Sequence, residues 1–346
     1  MKKILVALSG GLDSAATALI LYERGYRVTG VTFDLTGDAG SIESTRHLAE
    51  RLKIPLIVED VRETFRQEVQ HYFIDSYMRG ETPAPCSVCN PRIKWDTLRR
   101  VADREQIPLL ATGHYVRIKQ QDGFYYVAEG VDPVKDQSYY LWDLDQGILQ
   151  RAVAPLGDFT KPQVRELMDF WGYTDLTAKK ESMGVCFLDK TGYAGFLREN
   201  VPDIDRLDGG EVADTEGRVI GRHSGYPFYT VGQKRGFVSD DPGKERYVLE
   251  IDAEKNRLIT GSLNDLYTDT LFIRNPKIIN LGEFFTTDRL RVKVRGLGLN
   301  PEGFCSVIPI GEGIRVYIPS KAYAPAKGQP VVFYIDDRVA GGGYLE

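Results

Sequence analysis

The chain has 346 residues, 42% hydrophobic content and a formal net charge of −5. This length predicts two or three domains, and strand-sized apolar runs exclude a transmembrane helix. Four cysteines are too few for a disulfide framework, and the first apolar run begins too early to follow a signal peptide. We therefore expect a cytoplasmic protein without a membrane partner. The charge does not suggest a polyanion partner, although residues 268–346 carry ten Lys/Arg and eight Asp/Glu, hence +2, against −7 for the rest.

The first predicted elements are a strand, a glycine turn and a helix. Ile4 to Leu8 is an unbroken apolar run, typical of a strand buried on both faces. Ser9, Gly10 and Gly11 follow, and Asp13 and Ser14 open a helix that continues to Arg24. This geometry points backbone N–H groups and a helix dipole at an anion, usually a phosphate. The stretch 9–14 matches neither a Walker A loop nor a dinucleotide fingerprint, and it resembles the pyrophosphate-binding loop of adenylating ATP pyrophosphatases.

Strands and helices then alternate. Strands are predicted at 27–33, 55–58 and 108–111, and helices at 44–52, 62–78 and 95–105. This alternation predicts a doubly wound parallel sheet, in which ligands bind at the carboxyl ends of the strands. Ser9 and Gly113 both follow strands, so we expect them at one site.

The remaining sequence predicts loops, one further helix and β domains. Three prolines predict a loop at 80–94, and a hairpin is expected around Asp122-Gly123. Thr160 is the expected N-cap of a helix. Short strands broken by Gly and Pro follow from about Gly195, and 268–346 reads as a small barrel. We predict an α/β plus all-β fold with three domains, at 1–194, 195–267 and 268–346.

The cysteines limit the chemistry. Cys86 and Cys89 form a Cys-x-x-Cys without the second close pair that a four-cysteine zinc site requires. Their predicted proline-rich loop does not suit a thioredoxin-like motif. One of this pair, together with Cys186, could transfer sulfur through a persulfide and a resolving thiol. Cys305 lies near Phe304 and Val307 and is expected to be an inert small hydrophobe.

Six stretches together resemble the tRNA-specific 2-thiouridylases of the MnmA type. They are Ser9-Gly-Gly-Leu-Asp-Ser14, Thr82-Pro-Ala-Pro-Cys-Ser-Val-Cys-Asn90, Ala111-Thr-Gly-His-Tyr115, Lys135-Asp-Gln-Ser-Tyr139, Gly184-Val-Cys-Phe187 and Thr230-Val-Gly-Gln-Lys-Arg-Gly236. The resemblance implies an ATP-binding domain, a central β domain that contacts tRNA, and a C-terminal β barrel. It also implies adenylation of uridine at the anticodon wobble position, followed by displacement of AMP by persulfide sulfur. Its partners would be tRNA and a cysteine desulfurase or sulfur-relay protein.

The same resemblance assigns roles to individual residues. Cys186 would carry the persulfide and Cys89 would be the second catalytic cysteine. ATP would be contacted by Ala7, Leu8, Ser9, Gly10, Gly11, Leu12, Asp13, Ser14, Phe33 and Gly113. The target base would meet Ala84, Pro85 and Cys86. The tRNA would meet His114, Lys135, Asp136, Gln137, Arg295, Gly296 and Gln329.

The proposed chemistry also suggests a metal ion, cationic neighbours for the thiol and an alternative cofactor. Asp13, beside the pyrophosphate loop, is a reasonable anchor for Mg²⁺. A reactive thiol must be partly thiolate, so Arg92, Lys94 and His114 are candidate cationic neighbours. Some family members have Asp where Cys86 stands. Cys86, Cys89 and Cys186 could therefore instead hold an iron–sulfur cluster that delivers sulfide. The family's usual Tyr and second Arg near Arg295 are absent here, which weakens the assignments at Arg295 and Gly296.

Two further functions remain open. An ATP pyrophosphatase that amidates another substrate would leave the cysteines idle and would need an ammonia source, for which no glutaminase-like module is visible. A non-catalytic tRNA-binding protein would not need the intact loop around Asp13.

Overall fold

The computed structural model describes residues 1–179, 184–239 and 245–346, without the side chain of Ser239. The described chain forms two compact units that are each built from separate stretches of sequence. The first unit comprises Met1–Val69, Cys86–Met183 and Asp337–Ala340, and the second comprises Gln70–Pro85, Gly184–Asp336 and Gly341–Glu346. Within the described residues, no helix is both long and apolar enough to cross a membrane.

The N-terminal half of the chain alternates between strands and helices. Its elements are β1 (Lys3–Ala7), α1 (Leu12–Glu23), β2 (Arg27–Asp34), α2 (Ala39–Arg51), β3 (Leu56–Asp60), α3 (Arg62–Phe65), α4 (His71–Met78), α5 (Pro85–Cys89), α6 (Asp96–Arg104), β4 (Leu109–Ala111), β5 (Val116–Gln121), β6 (Phe124–Glu129), α7 (Gln146–Leu149), β7 (Ala152–Val153), α8 (Lys161–Phe170) and α9 (Thr174–Thr177). Two π-helical segments, Arg66–Gln70 and Asn90–Trp95, join α3 to α4 and α5 to α6.

The first unit contains the predicted parallel sheet. Its strand order is β3-β2-β1-β4-β7, and each neighbouring pair is parallel. Helix α1 buries Ala15 and Ile20 in one apolar cluster, and Ala18 and Leu21 in another. The chain order reverses between β1 and β4, so the loops after these two strands lie at the switch point of the sheet.

One local prediction was wrong. Residues 80–94 were expected to form a loop, but a helical stretch runs from Pro85 through α6. Pro85 occupies the first helical position, where its missing N–H costs nothing, and Pro91 lies in the π-helical segment. The stretch also buries Ile93 and Trp95 to 1% and 0% exposure. This apolar burial offsets the cost of a proline inside a helix.

Other local predictions are confirmed with shifted ends. Helix α2 begins at Ala39 rather than residue 44, because Asp38 accepts N–H bonds from Gly40 and Ser41 as its cap. Thr160 caps α8 in a capping box. Asp122 and Gly123 have φ of +50° and +84° and join β5 to β6 in the expected hairpin. In the first unit this hairpin also pairs with the C-terminal stretch of the chain, Ala128 lying opposite Arg338.

The second unit is mostly β. After α10 (Gly192–Asn200), its elements are β8 (Gly210–Ala213), β9 (Val219–His223), β10 (Phe237–Ser239), β11 (Tyr247–Asp252), β12 (Arg257–Gly261), β13 (Tyr267–Ile278), α11 (Leu281–Thr286), β14 (Leu290–Lys293), β15 (Ser306–Ile310), β16 (Gly313–Tyr323), β17 (Pro330–Ile335) and β18 (Arg338–Leu345), whose first residues belong to the first unit. One sheet has the order β10-β9-β8-β12-β11, and a second has β14-β17-β18-β13-β16-β15. The predicted boundaries after 194 and 267 stay predictions.

Candidate active site

The stretch Ser9–Ser14, here called the nucleotide loop, links β1 to α1. Gly10 has a φ of +71°, and a Cβ there would lie 3.0 Å from Thr45 Oγ1, so both conformation and space favour glycine. The Ser14 hydroxyl accepts a bond from Ser9 N at 3.1 Å and donates to Gly11 O at 3.0 Å, which fixes the turn. Gly11 is the N-cap and supplies no side-chain cap to α1. The first N–H groups of α1 therefore have no capping side chain and suit a phosphate.

Other predicted ATP contacts lie at the same edge of the sheet. Ala7 ends β1, and the half-buried Phe33 is the penultimate residue of β2. Gly113 follows β4, and a Cβ on it would lie 3.0 Å from the carbonyl carbon of Asp13 and 3.1 Å from Ser14 N. The loop after β4 therefore packs directly on the first turn of α1.

The Asp13 carboxylate has protein partners. Lys161 Nζ donates to both of its oxygens at 2.8 Å, and Tyr115 Oη donates to Oδ1 at 2.8 Å. A magnesium ion would compete with the ammonium group for the same oxygens, so this arrangement does not fit Asp13 as a metal anchor. Among the described residues, no group of three or more His, Cys, Asp or Glu could hold a metal ion. We therefore assign no ligands among the described residues to Mg²⁺ or to an iron–sulfur cluster.

The two cysteines of the Cys-x-x-Cys lie three residues apart on a helix, hence on the same face. Cys86 is exposed and Cys89 is buried to 5%. Cys186 is exposed in the second unit. Burial raises the pKa of the Cys305 thiol to about 12, which suits an unreactive core cysteine.

His114 is not a cation at neutral pH. Burial, with a smaller contribution from Lys94, lowers its pKa to about 3. Its Nδ1 lies 2.8 Å from Thr112 Oγ1, and its ring stacks on Trp95 at a centroid distance of 6.4 Å. The prediction that His114 supplies positive charge to a thiolate is therefore wrong, because the apolar surroundings favour the neutral ring. Arg92 forms an ion pair with Glu68 at 2.8 Å.

Side-chain hydrogen bonds fix the turn at Lys135–Ser138. Asp136 Oδ1 accepts N–H bonds from Gly130 and Ser138 at 3.2 Å each, and Gln137 Oε1 accepts from Tyr115 N at 3.0 Å. Asp136 and Gln137 thus fix the loop after β4, and their proposed tRNA contacts remain predictions.

Ala84 and Pro85, predicted to meet the target base, are held within the second unit. Ala84 N donates to Tyr72 Oη at 3.5 Å, and Thr82 N donates to Lys327 O at 2.8 Å. Glu81, next to Thr82, accepts from Arg274 Nη2 at 2.6 Å. Tyr72, Lys327 and Arg274, all of the second unit, therefore position residues 81–84.

The C-terminal residues assigned to tRNA have mixed surroundings. Arg295 Nη2 donates to the carbonyls of Tyr323 and Ala324 at 2.7 Å each, so this nitrogen of the guanidinium is bound within the protein. Gly296 beside it is half-buried. Gln329 Oε1 is a buried oxygen that has no hydrogen-bond partner among the described residues.

Sequence reasoning missed Lys161 and Tyr115. One signal was available, because Lys161 is the first helical residue after the Thr160 cap. The helix dipole disfavours a cation there, so an anionic partner was to be expected.

The fold and the nucleotide loop define the class of protein. It has an α/β nucleotide-binding domain with a phosphate-binding turn at its switch point, followed by β-sheet domains. Residues 2–190 match the model of the tRNA methyl transferase HUP domain, 195–262 the tRNA methyl transferase PRC-barrel domain, and 268–345 the aminomethyltransferase beta-barrel domain. The chain is 39% identical over 365 residues to the tRNA-specific 2-thiouridylase MnmA of Amoebophilus asiaticus, covering 100% of this chain and 96% of that protein. It is 40% identical over 354 residues to MnmA 2 of Phocaeicola vulgatus, covering 99% and 97%.

A solved 4-thiouridine synthetase–RNA complex with bound ATP is 18% identical, has a TM-score of 0.37, and covers 58% of this chain and 51% of that one. The identity of 39% and 40% to the two MnmA proteins, over almost the whole chain, shows that it belongs to the tRNA-specific 2-thiouridylase family. This confirms the resemblance and the fold class predicted from the sequence.

Proposed function

We propose that this chain uses ATP to convert a tRNA wobble uridine to 2-thiouridine. The observation that carries the proposal is an intact nucleotide loop at the switch point of a chain that matches the family from end to end. Two domain descriptions name methyl transfer, but the relatives that align over the whole chain are named thiouridylases, and the cysteines suit sulfur chemistry.

The first step is adenylation. The uridine O2 attacks the α-phosphorus of ATP, the α–β bridge breaks, and pyrophosphate leaves. The N–H groups of the nucleotide loop and the dipole of α1 would stabilise the pyrophosphate charge. Gly113 and Phe33 would border the nucleotide at the ends of their strands.

The second step replaces oxygen by sulfur. A persulfide on Cys186 attacks C2 through its outer sulfur, and AMP leaves with the former O2. The Cys89 thiolate then attacks the Cys186 sulfur, which releases the thiolated base and leaves a Cys89–Cys186 disulfide. An external thiol reduces this disulfide, and a desulfurase or sulfur-relay protein supplies the next sulfur. Ala84, Pro85 and Cys86 would contact the target base, and Lys135 with its neighbouring turn would contact the tRNA.

The decisive experiment uses three single cysteine variants of the full chain, with Cys305→Ser as the matched control. Cys186→Ser should form no labelled persulfide from a desulfurase donor. Cys89→Ser should accept labelled sulfur on Cys186 but fail to produce 2-thiouridine. Cys86→Ser should retain most activity, and Cys305→Ser should resemble the parent. A labelled persulfide in Cys186→Ser, or full thiolation by Cys89→Ser, would refute this route.

The iron–sulfur alternative predicts a different pattern. All three of Cys86→Ser, Cys89→Ser and Cys186→Ser would then be inactive, and the anaerobically purified parent would absorb as a cluster protein does. A tRNA-dependent ATP–pyrophosphate exchange assay separates both thiolation routes from the remaining alternatives. A tRNA-binding protein would show no exchange, and an amidating enzyme would exchange without tRNA.

A further inference from the structure

The ion pair between Lys161 and Asp13 is placed to control the charge of the nucleotide loop. Asp13 is the second residue of α1, in the turn whose N–H groups face the expected phosphates. Its side chain is 34% exposed, and that of Lys161 is 8% exposed. The ammonium group lies 2.8 Å from both carboxylate oxygens. The pair therefore sits beside the anion site with the carboxylate on the more accessible side.

The surroundings hold Lys161 in this position. Its backbone N donates to Asp132 Oδ2 at 2.9 Å, and its Nζ lies 5.8 Å from the centroid of the Tyr115 ring. Tyr115 in turn donates its hydroxyl proton to Asp13. A cation at the first position of a helix opposes that helix's own dipole. The local helix thus gives no reason for a lysine here, whereas Asp13, 148 residues away in sequence, does.

Without Lys161 the loop would carry an uncompensated negative charge. Asp13 would then repel the phosphates of ATP and partly cancel the positive end of the α1 dipole. This repulsion acts on charged ligands and spares a neutral nucleoside. A purely structural ion pair would make no such distinction.

We propose that Lys161 is a positioning residue that neutralises Asp13 and thereby sets the affinity of the nucleotide loop for pyrophosphate and for the phosphates of ATP. The proposal rests on the proposed function, because it assumes that the loop binds ATP. It also replaces the metal-anchor role of Asp13 with an electrostatic one.

The test measures binding of inorganic pyrophosphate, ATP and adenosine to the full chain by calorimetry, without and with Mg²⁺. Lys161→Met should weaken pyrophosphate and ATP at least ten-fold and leave adenosine within about two-fold. Asp13→Asn combined with Lys161→Met removes both charges and should restore pyrophosphate affinity to within about three-fold of the parent. Arg51→Met is the matched control, since it breaks the Arg51–Asp175 ion pair of the same unit. It should change none of the three affinities.

The outcomes separate this proposal from the function on which it rests. Equal loss of adenosine and pyrophosphate affinity in Lys161→Met, or no recovery in the double variant, would mean that the pair is structural or that Asp13 holds a metal. Either result overturns the proposal even if the parent thiolates tRNA. A parent that binds adenosine but neither ATP nor pyrophosphate would overturn the nucleotide site itself. If Lys161→Met fails to fold, the double variant alone tests the proposal. A pyrophosphate affinity within about three-fold of the parent supports it, and an affinity more than ten-fold below the parent contradicts it.

Discussion

The close packing of Gly113 on α1 predicts a specific effect of Gly113→Ala. The added Cβ would lie 3.0 to 3.2 Å from three backbone atoms of Asp13 and Ser14. Carbon atoms pack at about 3.5 Å or more, so the first turn of α1 must move by about 0.5 Å. Backbone cannot rotate away as a side chain can. We therefore expect a loss of about 1–3 kcal/mol in the free energy of unfolding, as in other overpacked sites.

The same shift displaces the N–H groups that face the phosphates. We expect the Kd for ATP to rise about ten-fold, which corresponds to about 1.4 kcal/mol. Urea denaturation and calorimetry measure the two effects. Gly282→Ala is the matched control, since its Cβ would meet only Asn280 Oδ1 at 3.5 Å in the short helix α11. If Gly113→Ala unfolds and binds ATP like the parent, the two loops are not packed as described.

Three further predictions concern other residues. The pKa of His114 is about 3 in the folded state and about 6.5 in the unfolded state, so between these pH values the unfolded chain binds more protons than the folded chain. The free energy of unfolding should therefore fall as the pH drops below about 6.5. The loss should reach about 2 kcal/mol at pH 5, and urea denaturation of His114→Gln should lack it. Arg295→Ala should lower the free energy of unfolding by about 1.5–3 kcal/mol with little change in tRNA affinity, whereas Lys135→Ala should weaken tRNA binding and reduce its salt dependence. Filter binding at several salt concentrations measures both affinities, and a larger loss of tRNA affinity in Arg295→Ala than in Lys135→Ala would contradict the prediction. Asp136→Ala leaves two backbone N–H groups without their acceptor and should lower the free energy of unfolding by about 1–3 kcal/mol. Thermal unfolding measures this loss, and an unchanged melting temperature would contradict the prediction.

The parallel sheet could be predicted because its signals are local. The apolar run before Ser9 and the glycine turn after it specify strand, loop and helix start without reference to distant residues. The position of Gly113 followed from strand order alone, since the carboxyl ends of parallel strands share one edge of the sheet. These parts of the candidate site needed no knowledge of side-chain packing.

The remaining parts depend on tertiary contacts. Pro91 locally disfavours a helix, and only the burial of Ile93 and Trp95 favours one. The partner of Asp13 is 148 residues away, and the position of Lys161 at a helix start indicates an anionic partner without specifying which residue it is. His114 was expected to carry charge because a sequence does not report how far a ring is desolvated.

The assignment of Asp337–Ala340 to the first unit has a consequence for the order of folding. Arg117 and Lys119 donate to the Asp337 carboxylate at 2.7 and 2.6 Å, across 220 and 218 residues of chain. Domains usually fold as units during synthesis, the N-terminal one first. Here the N-terminal unit lacks part of its hairpin edge until nearly the whole chain has left the ribosome. We therefore expect nascent chains that stop before Asp337 to keep an open strand edge, to be cleaved faster by protease near β5 and β6, and to rely on chaperones during synthesis.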